Sequence, residues 1–254
     1  MRKPAENILV RELHPDEHRL AEQLEELQLH ASVSRSGKRK KHPYLGKDAL
    51  LQIVDPKLGR PGIVLVSFYD KTPVGFYIAL KGEGNSFLTL FNGVHRDYRG
   101  LGIATMMHAR IKEMLGNRTK QSTMSPHNIP SLVVNVNHEG FRVADWVANR
   151  YGPGEHRFYI RGRLNFPQKE MDVSKLAGLD RVTLDKTKTL SAVKTQLHDL
   201  NEQRRHYLLE LVEEQGHPLE TAYKFVDWKG FRGIYIHSEG NRHFLLMKPV
   251  AKKR

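Results

Sequence analysis

The sequence predicts an α/β (α+β) chain, on three observations. Short apolar runs bounded by turn residues alternate with helical patterns as far as residue 164. A strand running into a glycine-rich turn and then a helix occupies residues 87–115. Apolar residues make up 39% of 254 positions, enough for a packed core and too many for a disordered chain. The pattern changes after Asn165, so the reading divides the chain into 1–165 and 166–254.

Ile8-Leu9-Val10 reads as a first short strand. Pro15-Asp16-Glu17 starts a helix, with acids in its first turn, and Leu20, Leu24 and Leu27 recur at helical spacing through His30. A Ser/Gly/Lys loop comes next, then a short helix over 49–54. Residues 63–69, 74–80 and 87–94 form a three-stranded meander, with turns at Asp70 to Pro73 and Gly82 to Asn85. A helix is predicted from Gly102 to Leu115, a strand over 131–136, a helix over 139–150 and a strand over 156–164. Beyond these, Val193, Leu197, Leu200, Tyr207 and Leu211 predict one long helix, about 189–215, stopped by Gly216 and Pro218. Three short strands close the chain, over 222–228, 231–237 and 243–250.

Composition excludes several chemistries. The chain has no cysteine, hence no disulfide scaffold, Cys-ligated zinc or thiol nucleophile, and no metal site is expected. No apolar run approaches 18 residues, and no signal-peptide core comes after Met1-Arg2-Lys3. The expected class is a soluble, cytoplasmic protein. Net charge is +13, from 41 Lys+Arg against 28 Asp+Glu. Its densest cluster is Arg35-Ser36-Gly37-Lys38-Arg39-Lys40-Lys41-His42, and clustered cations of this kind suit phosphates. A solvated basic loop is the plainer reading of the same run.

The stretch that carries chemistry is Val94-His95-Arg96-Asp97-Tyr98-Arg99-Gly100-Leu101-Gly102-Ile103-Ala104. A strand ends, glycines turn the chain and a helix begins. Unpaired N–H groups at the positive end of a helix dipole, approached closely through glycine, form a pyrophosphate cradle. The GxxxxGK[ST] and GxGxxG spacings are both absent, which excludes a Walker loop and a dinucleotide fingerprint. A plain turn between strand and helix is the alternative.

Arg99-x-x-Gly102-x-Ala104 resembles the acetyl-CoA-binding motif of the GNAT N-acetyltransferase superfamily, commonly R/Q-x-x-G-x-G/A. The resemblance extends in order over residues 5–164. Ile8-Leu9-Val10 with Pro15-x-Glu17 is similar to the family's first strand and helix start. Val64-Leu65-Val66 through Pro73-Val74-Gly75-Phe76 is similar to its second and third strands. Val133 to Asn137, a helix and Tyr151-Gly152 are similar to its fifth strand and the helix after it. Residues 166–254 resemble no family. The resemblance implies a mixed, twisted sheet with flanking helices, splayed between its fourth and fifth strands, to which this chain adds a long C-terminal helix and a small antiparallel β-meander. It also implies acetyl-CoA as cosubstrate, with Val94, Arg99, Gly100, Leu101, Gly102, Ile103 and Ala104 around the pyrophosphate and Asn137 facing the cofactor. Asn137 reads equally well as a cap on the helix from Glu139.

The resemblance further implies direct transfer of the acyl group to an amine. The family often places a carboxylate on the fourth strand, but Ser86 to Val94 contains none. His138 and Asp145 are the substitutes as proton acceptors, each also readable as a solvated side chain. Tyr151 is the candidate proton donor to the thiolate, although it directly precedes Gly152 where the family has a Gly-Phe pair some four residues on. A missing base fits an acceptor amine already neutral near pH 7. Together with Arg35, Lys38, Arg39, Lys40 and Lys41 as nucleic-acid contacts, this points to an acceptor on nucleic acid, either aminoacyl-tRNA or a DNA base as in Mom-type modification. A small-amine or protein N-acetyltransferase and an inactive nucleic-acid or partner-binding module are the alternatives. The C-terminal helix offers a route to a homodimer. The aromatics of the last three strands read as a small core or as a stacking platform for bases.

Overall fold

The computed structural model describes residues 7–31, 45–55, 57, 62–150, 156–163, 171, 173–184, 189–211, 220–228 and 230–250. The chain divides into two compact units, Met1–Gln121 and Ser122–Arg254.

The first unit is an antiparallel meander with helices on both faces. Its strands are β1 (Ile8–Glu12), β2 (Gly62–Tyr69), β3 (Thr72–Lys81) and β4 (Ser86–Val94), paired in chain order. Helices α1 (His18–Ala31) and α2 (Lys47–Val54) cover one face. The 3–4 spacing of α1 buries Leu20, Ala21, Leu24 and Leu27. They pack on Leu50, Leu51 and Ile53 of α2 and on Val64, Val66, Phe76 and Ile78 of the sheet. Glu17 sets the start of α1. Its carboxylate takes both Arg11 guanidinium nitrogens, at 2.6 and 2.8 Å, and the His14 N–H. Helix α3 (Ile103–Leu115) lies on the opposite face, burying Ile103, Met107, His108, Ile111 and Leu115.

Strand β4 carries a bulge. Ile78 pairs with Phe91 but Ala79 pairs with Thr89, so Leu90 is an extra residue in the ladder. An uninterrupted strand would put Thr89 and Asn92 on opposite faces. The bulge puts both on the α3 face, opposite Ala79 and Tyr77, while Leu90 and Phe91 pack into the α1/α2 core.

Strand β5 (Thr119–Met124) spans the division between the units. The second unit contains α4 (Ile129–Val133), a single π-helical turn over Val134–His138, and β6 (Arg142–Val147), β7 (Arg157–Arg163) and β8 (Asp180–Val182). It continues with α5 (Leu190–Gln203), β9 (Tyr207–Leu211), a 3-10 turn over Glu220–Phe225, β10 (Phe231–Glu239) and β11 (Arg242–Pro249). The strand order is β7-β6-β10-β11-β9-β8, antiparallel except for the β8–β9 pair.

Several elements differ from the sequence reading. Residues 131–136 are helical: Pro130 sits in the first turn of α4, and Ile129, Leu132 and Val136 are buried at helical spacing. The fifth strand lies earlier, at Thr119–Met124, where Lys120, Ser122 and Met124 alternate inward. Residues 139–150 hold a strand, β6, because Gly140 at φ 69° ends the π turn and the chain extends from Arg142. The long helix ends at Gln203. Arg204 adopts φ 51°, and Tyr207 and Leu211 belong to β9. The 222–228 strand is a 3-10 turn.

Val193, Leu197 and Leu200, the expected coiled-coil seam, are buried in one core with Val143, Phe158, Tyr207, Phe231 and Leu245. That seam is therefore not open to a second copy. The same core explains why the compact units divide at 121/122 whereas the sequence reading puts a boundary at 165: β6 and β7 share their apolar face with residues beyond 180. The C-terminal aromatics Trp228, Phe231 and Phe244 are buried, which is the core reading of that meander.

Candidate active site

The site grows from the end of β4. His95 N–H donates to the Val74 carbonyl, which holds the chain to β3 as the strand finishes. A 3-10 turn, Arg96–Tyr98, lifts the chain off the sheet. Gly100 (φ 83°) and Gly102 (φ 77°) then take the left-handed conformations that L side chains resist. Among the described residues, a Cβ at either glycine would meet nothing within 4 Å, so this backbone faces open space. Gly102 is the N-cap of α3, with no side-chain cap, and its carbonyl takes the first helical bond from Met106 N–H. The N–H groups of Ile103, Ala104 and Thr105 precede that bond and have no acceptor within the helix. An open glycine turn, three unspent donors and a helix dipole together suit a diphosphate. The residues present fit the pyrophosphate of a coenzyme A ester.

Arg99, expected as a cation beside the phosphates, is tied to the main chain at two points. Its Nε donates to the Val94 carbonyl at 3.1 Å, and its Nη2 to the Ala31 carbonyl at 2.9 Å. The guanidinium thus braces the turn between the last residue of β4 and the last residue of α1. Gly93 permits the approach, since a Cβ there would lie 2.7 Å from Ala31 Cβ. His95 stands beside the brace, 5.4 Å from the His30 ring and 5.8 Å from Tyr98. Burial lowers its pKa, the Asp97 carboxylate opposes that, and His30, Arg96 and Arg99 reinforce it.

Beneath the turn, on the α3 face, lies a buried polar chain. Lys120 and His108 are each 2% exposed, and Lys120 Nζ lies 3.3 Å from His108 Nδ1. His108 Nε2 lies 3.2 Å from the amide nitrogen, Nδ2, of Asn92. The Tyr77 ring stands edge-on to His108, with its hydroxyl 2.5 Å from Thr89 Oγ1. Burial first, and then the Lys120 charge, hold the His108 pKa well below that of a free imidazole. The unfolded chain accepts this proton near pH 6.5 and the folded chain does not. Stability is therefore expected to fall as pH drops from 7 toward 5, by no more than about 1.4 kcal/mol per pH unit for one proton. Urea midpoints at pH 7 and 5.5 measure this, and His108→Gln is expected to flatten the slope.

The remaining expected site residues lie elsewhere or beyond the described residues. The helix that Asn137 would cap is absent, since Glu139 ends the π turn. The Asn137 Nδ2 donates to the Ile236 carbonyl at 2.8 Å and its Oδ1 accepts from the Ile236 N–H at 2.7 Å, so both ends of the amide pin the π turn to β10. His138 is exposed at the end of that turn. Asp145 is on β6, not on a helix, and its Oδ1 accepts from the Trp146 N–H. These three belong to the second unit. Tyr151 and the basic cluster Arg35, Lys38, Arg39, Lys40 and Lys41 lie outside the described residues. The residues bracketing that cluster are described. Ala31 is held by Arg99, and Leu45 exchanges two hydrogen bonds with the Gln28 amide.

Comparison with solved structures adds the fold. The chain is similar to yncA of Salmonella typhimurium, solved with its cofactor acetyl-CoA. The identity is 14% and the TM-score 0.50, over 65% of this chain and 99% of that one. It is also similar to an acetyltransferase of the GNAT family from Streptococcus pneumoniae (15% identity, TM-score 0.47, 61% of this chain and 99% of that one). Ard1 from Thermoplasma volcanium gives 13% identity and a TM-score of 0.47, over 63% of this chain and 99% of that one. The first of these carries the conclusion: the chain has the fold of the GNAT acetyltransferases. No protein-family model matches the sequence, and no curated protein matches it.

With β5 at Thr119–Met124, the residue positions that the resemblance describes move. The asparagine after the fifth strand is Asn128, the N-cap of α4. The Gly-Phe pair is Gly140-Phe141, with Phe141 buried. The residue four before that glycine is Val136, also buried, so no phenol stands at that place. The adjacent Gly and Phe are legible in the sequence. Placing the fifth strand in the apolar run 131–136 hides them, because the pair then falls inside a helix start.

Proposed function

We propose that this protein is an acyl-CoA-dependent N-acyltransferase that uses acetyl-CoA and acts on an amine carried by nucleic acid. One observation carries the first half: the open, doubly left-handed glycine turn between β4 and the N-terminus of α3, with its unspent amide donors. When bound, acetyl-CoA would supply an activated acyl group for transfer to the amine nitrogen, with the departing thiolate taking the amine's proton to leave as the thiol. The chain's own part is to grip the diphosphate through Leu101 to Thr105 and to hold that grip rigid through Arg99.

The second half rests on charge and on what β4 lacks. No carboxylate lies between Ser86 and Val94, and the polar groups on the α3 face of β4 are Thr89 and Asn92. An acceptor that is neutral near pH 7 needs no carboxylate. An aminoacyl α-amine, with a pKa near 8, and a nucleobase amine meet that condition better than a lysine near 10.4. The basic segment leaves α1 at Ala31, the residue Arg99 ties to the cofactor turn.

The test combines calorimetric titration of acetyl-CoA with transfer assays on aminoacyl-tRNA, DNA and small amines. Replacing Arg35, Lys38, Arg39, Lys40 and Lys41 by serine is expected to leave acetyl-CoA affinity within about two-fold. The same change is expected to lower the salt slope of nucleic-acid binding by up to about 4. Turnover on a small amine that ignores salt would reassign the acceptor to that class. Tight nucleic-acid binding without acetyl-CoA binding would make the chain a binding module.

A further inference from the structure

In the second unit, the sheet carries a row of like charges where β10 begins and β11 finishes. Arg232 on β10 pairs across from Lys248 on β11. Met247 pairs with Tyr207, so His206, one residue before β9, continues the register beside Lys248. Burial first, and then the Lys248 charge, lower the His206 pKa, as expected of neighbours on one face. Like charges directly opposite one another destabilise a sheet. Arg204 and Arg205 lead into the row from the end of α5. Arg204 Nη2 donates to the Val250 carbonyl at 2.5 Å, which brings its guanidinium to the end of β11.

The row is not neutralised within the fold. Among the described residues, no carboxylate pairs with Arg204, Arg205, Arg232 or Lys248, whereas Arg181 and Arg242 of the same sheet are held by Glu239 and Glu210. Glu202 and Asp227 are close in sequence, yet neither makes an ion pair with these cations, and Asp227 Oδ1 accepts the Gly230 N–H instead. Arg232 is anchored through Nη1, which donates to the Trp228 and Phe231 carbonyls, so its fork is held at one end only. Arg205, His206 and Lys248 are exposed.

This arrangement suits a polyanion better than a lone anion or a protein. Three neighbouring strand positions span about 10 Å at about 4.8 Å per strand. A nucleic-acid strand presents one phosphate charge per about 3.4 Å of axis, so the row faces two or three phosphates. The cavity beside Arg232 is also lined by Asp145 and Asp227, which repel a lone phosphate there. A protein partner needs apolar anchors. Among the described residues, the exposed large apolar side chains are Leu9 and Met106, both of the first unit.

We infer that Arg205, His206, Lys248 and Arg232 form a contact surface for the phosphodiester backbone of nucleic acid, within the part of the chain that resembles no family. This rests on the nucleic-acid half of the proposed function and gives the C-terminal sheet a share in it. The surface holds the polymer that bears the acceptor amine, through contacts that carry no sequence information.

Fluorescence anisotropy over a salt series tests this on the full chain, with a labelled DNA duplex of about 20 base pairs and a labelled tRNA as probes. Combining Arg205→Ser with Lys248→Ser is expected to lower the salt slope by about 2 on whichever probe the wild type binds. Affinity near 0.1 M salt should fall about ten-fold or more. Combining Lys71→Ser with Lys81→Ser removes the same charge from exposed positions of the first unit, and should leave the slope within about 0.5 of wild type. The Arg205/Lys248 variant should melt at or above the wild-type temperature, because the row repels itself. Wild-type protein that binds neither probe would overturn the nucleic-acid reading and this inference with it. Wild-type binding with an unchanged slope in the Arg205/Lys248 variant, or an equal loss in both variants, would overturn the inference alone. A lowered melting temperature in the Arg205/Lys248 variant would make these cations structural and overturn it too. Equal affinity for poly-glutamate would overturn it in favour of an acidic protein partner.

Discussion

Gly102→Glu is expected to weaken acetyl-CoA binding at least about 100-fold, through two effects that add. Gly102 sits at φ 77°, where a side chain is strained by about 1 kcal/mol or more. The new carboxylate would also stand in the open space in front of the first amide donors of α3, where a diphosphate is proposed to bind. Like charges a few ångströms apart cost several kcal/mol at the effective dielectric of a protein surface. The fold should survive, because nothing among the described residues lies within 4 Å of the added Cβ. Calorimetry against acetyl-CoA, with circular dichroism as the control for folding, measures both. A well-folded Gly102→Glu protein with wild-type affinity would rule out the cradle.

Arg99→Ala is expected to lower stability by about 2–3 kcal/mol, a larger effect than deleting a surface cation. Its guanidinium donates to two main-chain carbonyls, Val94 and Ala31, and hydrogen bonds to charged groups contribute about 1.5–3 kcal/mol each net of water, less where the group is partly solvated. The melting temperature should fall about 5–10 °C. Arg99→Lys separates brace from charge. A lysine keeps the cation but cannot span two carbonyls with a planar fork. If Arg99 braces the turn, the lysine variant melts close to the alanine variant. If Arg99 serves only as a positive charge beside the phosphates, both variants melt like wild type and lysine alone retains cofactor affinity.

The two variants differ in how far the sequence alone could have suggested them. The glycine turn is legible because its chemistry is local. Three residues at fixed spacing, at a strand-to-helix junction, are enough to imply left-handed backbone and exposed donors. The meander β2–β3–β4 is legible for a related reason, since its strands are apolar, short and separated by turn residues. Strand β5 is not, because Thr119–Met124 turns Lys120 and Ser122 inward along with Met124, and an apolar-run criterion passes over it. That omission displaces the next elements: the helical stretch 129–138 takes the place of the fifth strand, and β6 takes the place of a helix.

The long C-terminal helix fails differently. Val193 to Leu200 and Tyr207 to Leu211 both satisfy helical spacing. The break at Arg204, in a left-handed conformation, has no glycine to announce it. Once β11 is present, Tyr207–Leu211 gains a strand partner along its whole length, and tertiary pairing overrides a local helical preference.

The sequence by itself determined the fold class, the glycine turn with its proposed anion-binding role, the absence of thiol chemistry and the excess positive charge. Each of these depends on residue identity or on spacing within one turn of chain. Only the tertiary structure decided that Arg99 is a brace, that Asn137 is a latch onto β10, and that Asn92, His108 and Lys120 form one chain. Those arrangements join residues far apart in sequence, and the last depends on a single extra residue in β4. A one-residue bulge exchanges the two faces of a strand, so no pattern read along the chain alone could have placed Asn92 beside His108.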